Sequence, residues 1–173
     1  MKVINLFGGP GTGKSTLAAE LFAALKKQGV NCELVTEFAK DLVWSNRNHE
    51  LQDQIYIFGK MYHRLWRLQD RVDVAIVDSP LPLCIYYDNG RHESFDLLVM
   101  SCFGEFENIN YILERRGFKY QQEGRYQTEQ EADQVHDEIK DLLDFYDIDA
   151  EGVEVMGMSR VDTIMERLHH LWK

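Results

Sequence analysis

The chain has 173 residues, 45% of them hydrophobic, which suffices for one well-buried core and is short for two, so a single domain over residues 1–173 is expected. Its formal net charge of −10 argues against broad non-specific binding to nucleic acid or anionic membranes. No stretch approaches the ~18 apolar residues that cross a bilayer, and Cys32, Cys84 and Cys102, scattered without metal-ligand spacing, read as buried thiols of a reducing cytoplasm.

Val3–Phe7 is a short apolar run ending in glycines, the pattern of a fully buried strand. Next comes Gly8-Gly9-Pro10-Gly11-Thr12-Gly13-Lys14-Ser15, which satisfies G-x-x-x-x-G-K-[ST] between a predicted strand and a predicted helix, the context the motif requires. Glycines permit torsions closed to other residues and let the main chain approach phosphates. Successive N–H groups then make an anion nest at the positive end of a helix. Lys14 adds a mobile charge for the β- and γ-phosphates, and the Ser15 hydroxyl can ligate Mg²⁺. With Thr16, this segment is the candidate site for ATP (or GTP) with Mg²⁺. A glycine-rich turn that only opens a helix would leave Lys14 unexplained.

The helix 14–28 carries Leu17, Leu21, Ala24 and Leu25 at helical spacing and stops at Gly29. Cys32–Thr36 reads as a second strand, and Glu37–Ser45 as a short helix. Leu51–Val72 has the pattern of one long amphipathic helix, with Ile57, Met61, Leu65, Leu68 and Val72 on a single stripe. Lys60, Arg64, Arg67 and Arg71 run along its edge, either to track the phosphates of a large acceptor or as a solvated face of weak ion pairs. Val74–Val77 is a third strand, ending at Asp78-Ser79-Pro80. A helix over 95–106 and a fourth strand at 110–113 precede a donor-rich loop, 114–127. Thr128-x-x-Glu131 is a capping box that opens a helix to about Tyr146. Val153–Met156 is a fifth strand, and Ser159 caps a last helix, 160–172. Residues 128–154 hold eleven acids and one lysine, a run expected to face solvent away from any polyanion.

Strands alternating with helices imply a three-layer α/β domain of the P-loop type, its parallel sheet covered on both faces. Ligands of such sheets sit outside the carboxyl ends of the strands. Asp78, just past the third strand, is placed to hold Mg²⁺ or to orient and deprotonate an acceptor hydroxyl; the alternative is a turn-capping Asp. Glu37, past the second strand, either binds an acceptor hydroxyl as a base or sits at a helix N-terminus because the dipole favours it. Arg115, Arg116 and Arg125 in the 114–127 loop suit a lid that covers a transferring phosphoryl group, or else a solvated loop paired with the acids that follow.

The glycine loop through Thr16, together with "LVTEFAKDLVW" at 34–44, "LQDQIYIFGK" at 51–60, "VDSP" at 77–80 and "GRYQTEQEAD" at 124–133, resembles a group of small phage-encoded P-loop proteins. These are similar to the thymidylate-kinase-like nucleoside and nucleotide kinases. The resemblance implies a kinase with strand order 2-3-1-4-5, a lid after the fourth strand, and ATP–Mg²⁺ as donor, working in the host cytoplasm. Part of the group resembles kinases that phosphorylate 5-hydroxymethyluracil in phage DNA, a step in DNA modification, with the position of Asp78 as catalytic acid.

Thymidylate kinases carry an arginine beside the acid after strand three and another before the acid after strand two. Here Ser79 follows Asp78 and Thr36 precedes Glu37. That shifts weight from a free nucleoside monophosphate toward a nucleoside-type hydroxyl, free or within DNA. The expectation is therefore an ATP-dependent phosphotransferase with an alcohol acceptor, its best specific target the hydroxymethyl group of hydroxymethyluracil in DNA. Kinases of free nucleosides or nucleotides, and an ATP-hydrolysing switch without an acceptor, are the rival readings. No membrane partner is expected, and a homodimer is compatible with the sequence.

Overall fold

The computed structural model describes residues 1–114, 129–153 and 159–168, the side chains of 129–131 excepted. Five strands, β1 (Lys2–Phe7), β2 (Cys32–Val35), β3 (Val74–Val77), β4 (Glu107–Leu113) and β5 (Glu151–Val153), form one sheet in the order β2-β3-β1-β4-β5. Every pairing is parallel, as the sequence pattern and the family resemblance together implied.

The period-two rule assigns each strand residue to a layer. Ile4 and Leu6 of β1 and Val74 and Ile76 of β3 meet Leu17, Leu21 and Leu25 of α1 (Lys14–Lys27) and Ile164 and Leu168 of α7 (Arg160–Leu168) in one core cluster. Val3, Phe7, Ala75 and Val77 belong to the other cluster. That second face is covered by α2 (Phe38–Trp44), α3 (Gln54–Trp66), α4 (Leu83–Asp88), α5 (Phe95–Phe103) and α6 (Glu129–Phe145). Asn5 breaks the apolar alternation between Val3 and Phe7 and is buried. Its Nδ2 donates to Asn108 Oδ1 and Asn110 Oδ1, both at 2.9 Å, across the β1/β4 pair. This polar ladder satisfies the buried amide and disfavours a slipped register.

Three elements differ from the sequence expectation. The long helix over 51–72 is divided: a 3-10 turn covers Asn48–Gln52, Asp53 caps α3 by accepting from the Tyr56 N–H at 3.0 Å, and Asp70 enters the left-handed region at φ 58. Leu68 still packs on the core as the apolar stripe requires, but from a turn rather than a helix. The short α4 was not anticipated, because six residues hold less than two turns of periodicity and follow Pro80 and Pro82. β4 begins at Glu107 rather than Asn110, since the polar asparagines of the ladder hid its first half. Of the fifth strand expected at 153–156, residues 154–156 lie outside the described residues.

Candidate active site

At the carboxyl edge of the sheet, β1 runs into the glycine loop and α1 leaves it. Gly8, Gly11 and Gly13 take φ values of +136, +82 and +88, torsions that bulkier residues rarely adopt. Gly13 serves as the N-cap of α1, so the loop amides gather at the positive end of that helix. Thr12 is fully buried, and its hydroxyl donates to Gly9 O at 3.0 Å, closing the loop on itself. Lys14 folds back over the loop, its Nζ donating to Gly8 O at 2.7 Å and Gly9 O at 3.0 Å.

The loop opens into a cavity of about 490 Å³ whose wall includes Gly8, Pro10, Gly11, Gly13, Lys14, Ser15 and Thr16. The same cavity continues past the second and third strand ends. Glu37, Gln54, Ser79, Leu83, Cys84 and Tyr87 line it there, together with Val43, Leu51 and Ile57. The structure thus places Glu37 in one space with the glycine loop, as the first residue past the β2–Thr36 edge. Gln54, the first residue of α3, is buried and held by a 2.7 Å bond from its Nε2 to Leu51 O. Burial pushes the Cys84 thiol up to about 12, with the Glu37 carboxylate adding to the shift, so this cysteine is an inert wall group rather than a nucleophile.

Asp78 follows β3 and continues its ladder by one residue, donating from its N–H to Val35 O at 3.1 Å. Only 4% of Asp78 is exposed, and among the described residues its Oδ1 has no hydrogen-bond partner. A carboxylate oxygen shut away without a donor calls for a cation. Ser15 lines the cavity and Asp78 does not; both offer oxygen, the donor type that suits Mg²⁺, which keeps several waters and draws further ligands from phosphates. Among the described residues no cluster of three or more His, Cys, Asp or Glu could hold a metal by itself. The residues therefore fit a nucleotide-borne Mg²⁺. Arg115, Arg116 and Arg125 lie outside the described residues, as does all of the 114–127 loop except Glu114.

Two groups at the loop carry no sequence signature. His136 of α6 is buried and accepts from the Gly9 N–H at 3.2 Å through Nδ1, while its Nε2 faces Glu114 Oε2 at 3.3 Å. Arg160, the first residue of α7, is buried and donates to Thr12 O and to Glu114 O. Glu114 also pairs with Lys140 at 2.8 Å. Burial alone would raise the Glu114 carboxyl; the hydrogen bonds from Lys140 and His136 outweigh it and hold it below the usual range. The acidic run therefore does not stay clear of the site. Its acids Asp133, Asp137 and Asp141 face solvent, but Ala132 and His136 lie directly on the loop.

Of the basic stripe, Arg64 is a brace: its fork donates to Thr36 O at 2.7 Å and Asp41 Oδ2 at 2.8 Å, fixing the chain on either side of Glu37. Lys60 sits over the Tyr56 ring at 5.4 Å. Neither lines the cavity.

A family model described as "AAA domain" matches residues 3–158. No curated protein matches the chain in sequence. Among solved structures, deoxyadenosine kinase from M. mycoides with bound dATP superposes with a TM-score of 0.57 at 19% identity, covering 98% of this chain and 100% of that one. The same enzyme with products dCMP and a flexible dCDP gives 0.56 at 16% identity, again over 98% of this chain and 100% of that one. With bound dCTP it gives 0.54 at 19% identity over the same shares. At these identities the likeness establishes a common fold.

Proposed function

The chain belongs to the AAA-domain family of P-loop proteins, and from that premise we propose that it is a kinase moving the γ-phosphoryl group of ATP to a hydroxyl of a nucleoside-type acceptor. The observation that carries the reading is the continuous cavity. One part of its wall is the glycine loop, and among the described residues the rest carries the Glu37 carboxylate and the buried Gln54 amide between apolar groups such as Val43, Leu51, Ile57 and Leu83, within about 490 Å³. A hydrolysing switch has no use for such a cavity.

In this mechanism the loop amides and Lys14 hold the β- and γ-phosphates, the ammonium turning from the Gly8 and Gly9 carbonyls to phosphate oxygens. Ser15 and Asp78 would hold the cation, which when bound would offset charge on the phosphates. Glu37 takes the acceptor's hydroxyl proton as the new P–O bond forms and the bond to the departing ADP oxygen breaks. Arg115, Arg116 and Arg125 are assigned to the transferring group on their sequence position.

For the acceptor, we favour the hydroxymethyl group of 5-hydroxymethyluracil in DNA, encoded by a phage and acting in the host cytoplasm. The sequence resemblance supports it, and so does the lining: among the described residues the cations on the cavity wall are Lys14 and Lys40, with no arginine there to clamp a nucleoside monophosphate. The structural neighbours bind deoxynucleotides, in keeping with a nucleoside-type acceptor. The test is transfer from γ-³²P-ATP to a panel of deoxynucleosides, their monophosphates, and DNA with and without hydroxymethyluracil. Label in the modified polymer alone is expected. Label only in small molecules makes it a kinase of free nucleosides or nucleotides, and ATP turnover indifferent to every acceptor makes it a hydrolase.

A further inference from the structure

The Gly8–Gly9 peptide is gripped from both sides. Among the described residues there is no cis peptide bond, so the Gly8 carbonyl and the Gly9 N–H belong to one rigid plane and point in opposite directions. The carbonyl end accepts from Lys14 Nζ at 2.7 Å, and the N–H end donates to His136 Nδ1 at 3.2 Å. A glycine-flanked peptide can rotate as a unit at little cost, because neither neighbour has a Cβ to resist. Its orientation here is set by its two partners.

We propose that His136 is a positioning residue for nucleotide binding: by accepting from the Gly9 N–H it keeps the Gly8–Gly9 peptide, and with it the shape of the loop, in place when the Lys14 ammonium leaves the Gly8 carbonyl for phosphate. This rests on the reading of the loop as a triphosphate site. The geometry demands one tautomer. Nδ1 must be bare to accept, so the imidazole proton sits on Nε2, where Glu114 Oε2 at 3.3 Å receives it. Glu114 is fixed in turn by Lys140 and, through its carbonyl, by Arg160, whose other arm reaches Thr12 O. α6 is seated so closely that a Cβ on Gly9 would lie 2.7 Å from Ala132 O and 2.9 Å from His136 Cβ. The seat of α6 thus demands glycine at position 9.

A second proton on the ring would turn Nδ1 into a donor facing a donor and release the peptide. The charged groups acting on the ring are Glu114 past β4 and Lys140 and Asp137 on α6, while Lys14 and Arg160 are held on the Gly8, Gly9, Thr12 and Glu114 carbonyls. Burial first, then Lys140, holds the imidazole below its ordinary value, against Glu114 and Asp137. The neutral form therefore prevails at neutral pH.

The experiment compares wild type, His136→Asn, His136→Leu and Lys14→Ala by calorimetric titration with Mg²⁺–ATP, with circular dichroism to establish folding. Asn keeps an acceptor near the place of Nδ1 and cannot take up a proton; Leu keeps bulk and loses the acceptor. His136→Leu should weaken nucleotide binding about 5- to 10-fold, the scale of one net hydrogen bond, and His136→Asn should recover most of it. Wild-type affinity should fall as pH drops through the range below the ordinary imidazole value, while that of His136→Asn stays level. Where Leu prevents folding, the wild-type and Asn pH profiles decide alone. Leu within twofold of wild type, or parallel wild-type and Asn profiles, overturns the assignment while leaving the nucleotide reading intact so long as Lys14→Ala loses binding. A wild type that takes up no Mg²⁺–ATP overturns both.

Discussion

Gly9→Ala tests the seating of α6 on the phosphate loop. Because Gly9 is not among the positive-φ residues, Ala meets no backbone prohibition there, and loss of unfolded-state freedom would by itself stabilise the protein by roughly 0.4–1 kcal/mol. Packing opposes this. The added methyl lies 2.7 Å from Ala132 O, 2.9 Å from His136 Cβ and 3.1 Å from His136 Cα. None of these is the free end of a flexible side chain, so α6 itself must retreat. Overpacking of this kind costs about 1–3 kcal/mol, and stretching the Gly9–His136 bond adds about 1 kcal/mol. Packing therefore wins, and a net loss of roughly 1–3 kcal/mol is expected in urea denaturation. Gly59→Ala is the control: Gly59 lies inside α3 with nothing within 4 Å of an added Cβ, and the change should stabilise by about 0.5–1 kcal/mol. If Gly9→Ala matched or exceeded wild-type stability while Gly59→Ala behaved as stated, the contact between α6 and the loop would be wrong.

Asp78→Asn, which removes the carboxylate charge assigned to the cation, should cut phosphoryl transfer by roughly 10²-fold or more while Mg²⁺–ATP affinity stays within a few fold of wild type; normal turnover would remove Asp78 from the mechanism. Asn5→Leu takes the shared donor from Asn108 and Asn110 and should destabilise by about 1–3 kcal/mol without altering nucleotide affinity, which urea titration and calorimetry would separate. For pH, both His136 and Glu114 have folded-state values below their ordinary ones. Their stabilisation is thus complete above the ordinary values, about 6.5 for His and 4.3 for Glu, and is lost as pH falls through the folded values. Denaturation midpoints should hold down to about pH 6.5, then fall, with the Glu114 contribution lost below about pH 4.3, and His136→Asn should lack the upper part of that decline.

The sequence reveals most where physics is local. The glycine loop, its lysine and the apolar β1 and β3 are each specified by adjacent residues, so their positions could be read directly, and Glu37 and Asp78 follow from the rule that strand ends bear the chemistry. What escaped was set by contacts distant along the chain. His136 and Gly9 are 127 positions apart, and nothing beside His136 marks it as a loop ligand. Arg160 reaches back 148 positions to Thr12. The stripe from Ile57 to Val72 looked like one helix because burial of Leu68 depends on its direction, not its secondary structure, while the break at Asp53 depends on a single side-chain cap.

The most direct test of the account is calorimetric titration of the protein with Mg²⁺–ATP, run beside Lys14→Ala and beside ATP in excess chelator. Saturable one-site uptake, sharply weakened by loss of the Lys14 ammonium, is the predicted result. Absence of uptake, or equal affinity with and without that ammonium, would contradict the placement of a triphosphate in the Gly8–Thr16 loop.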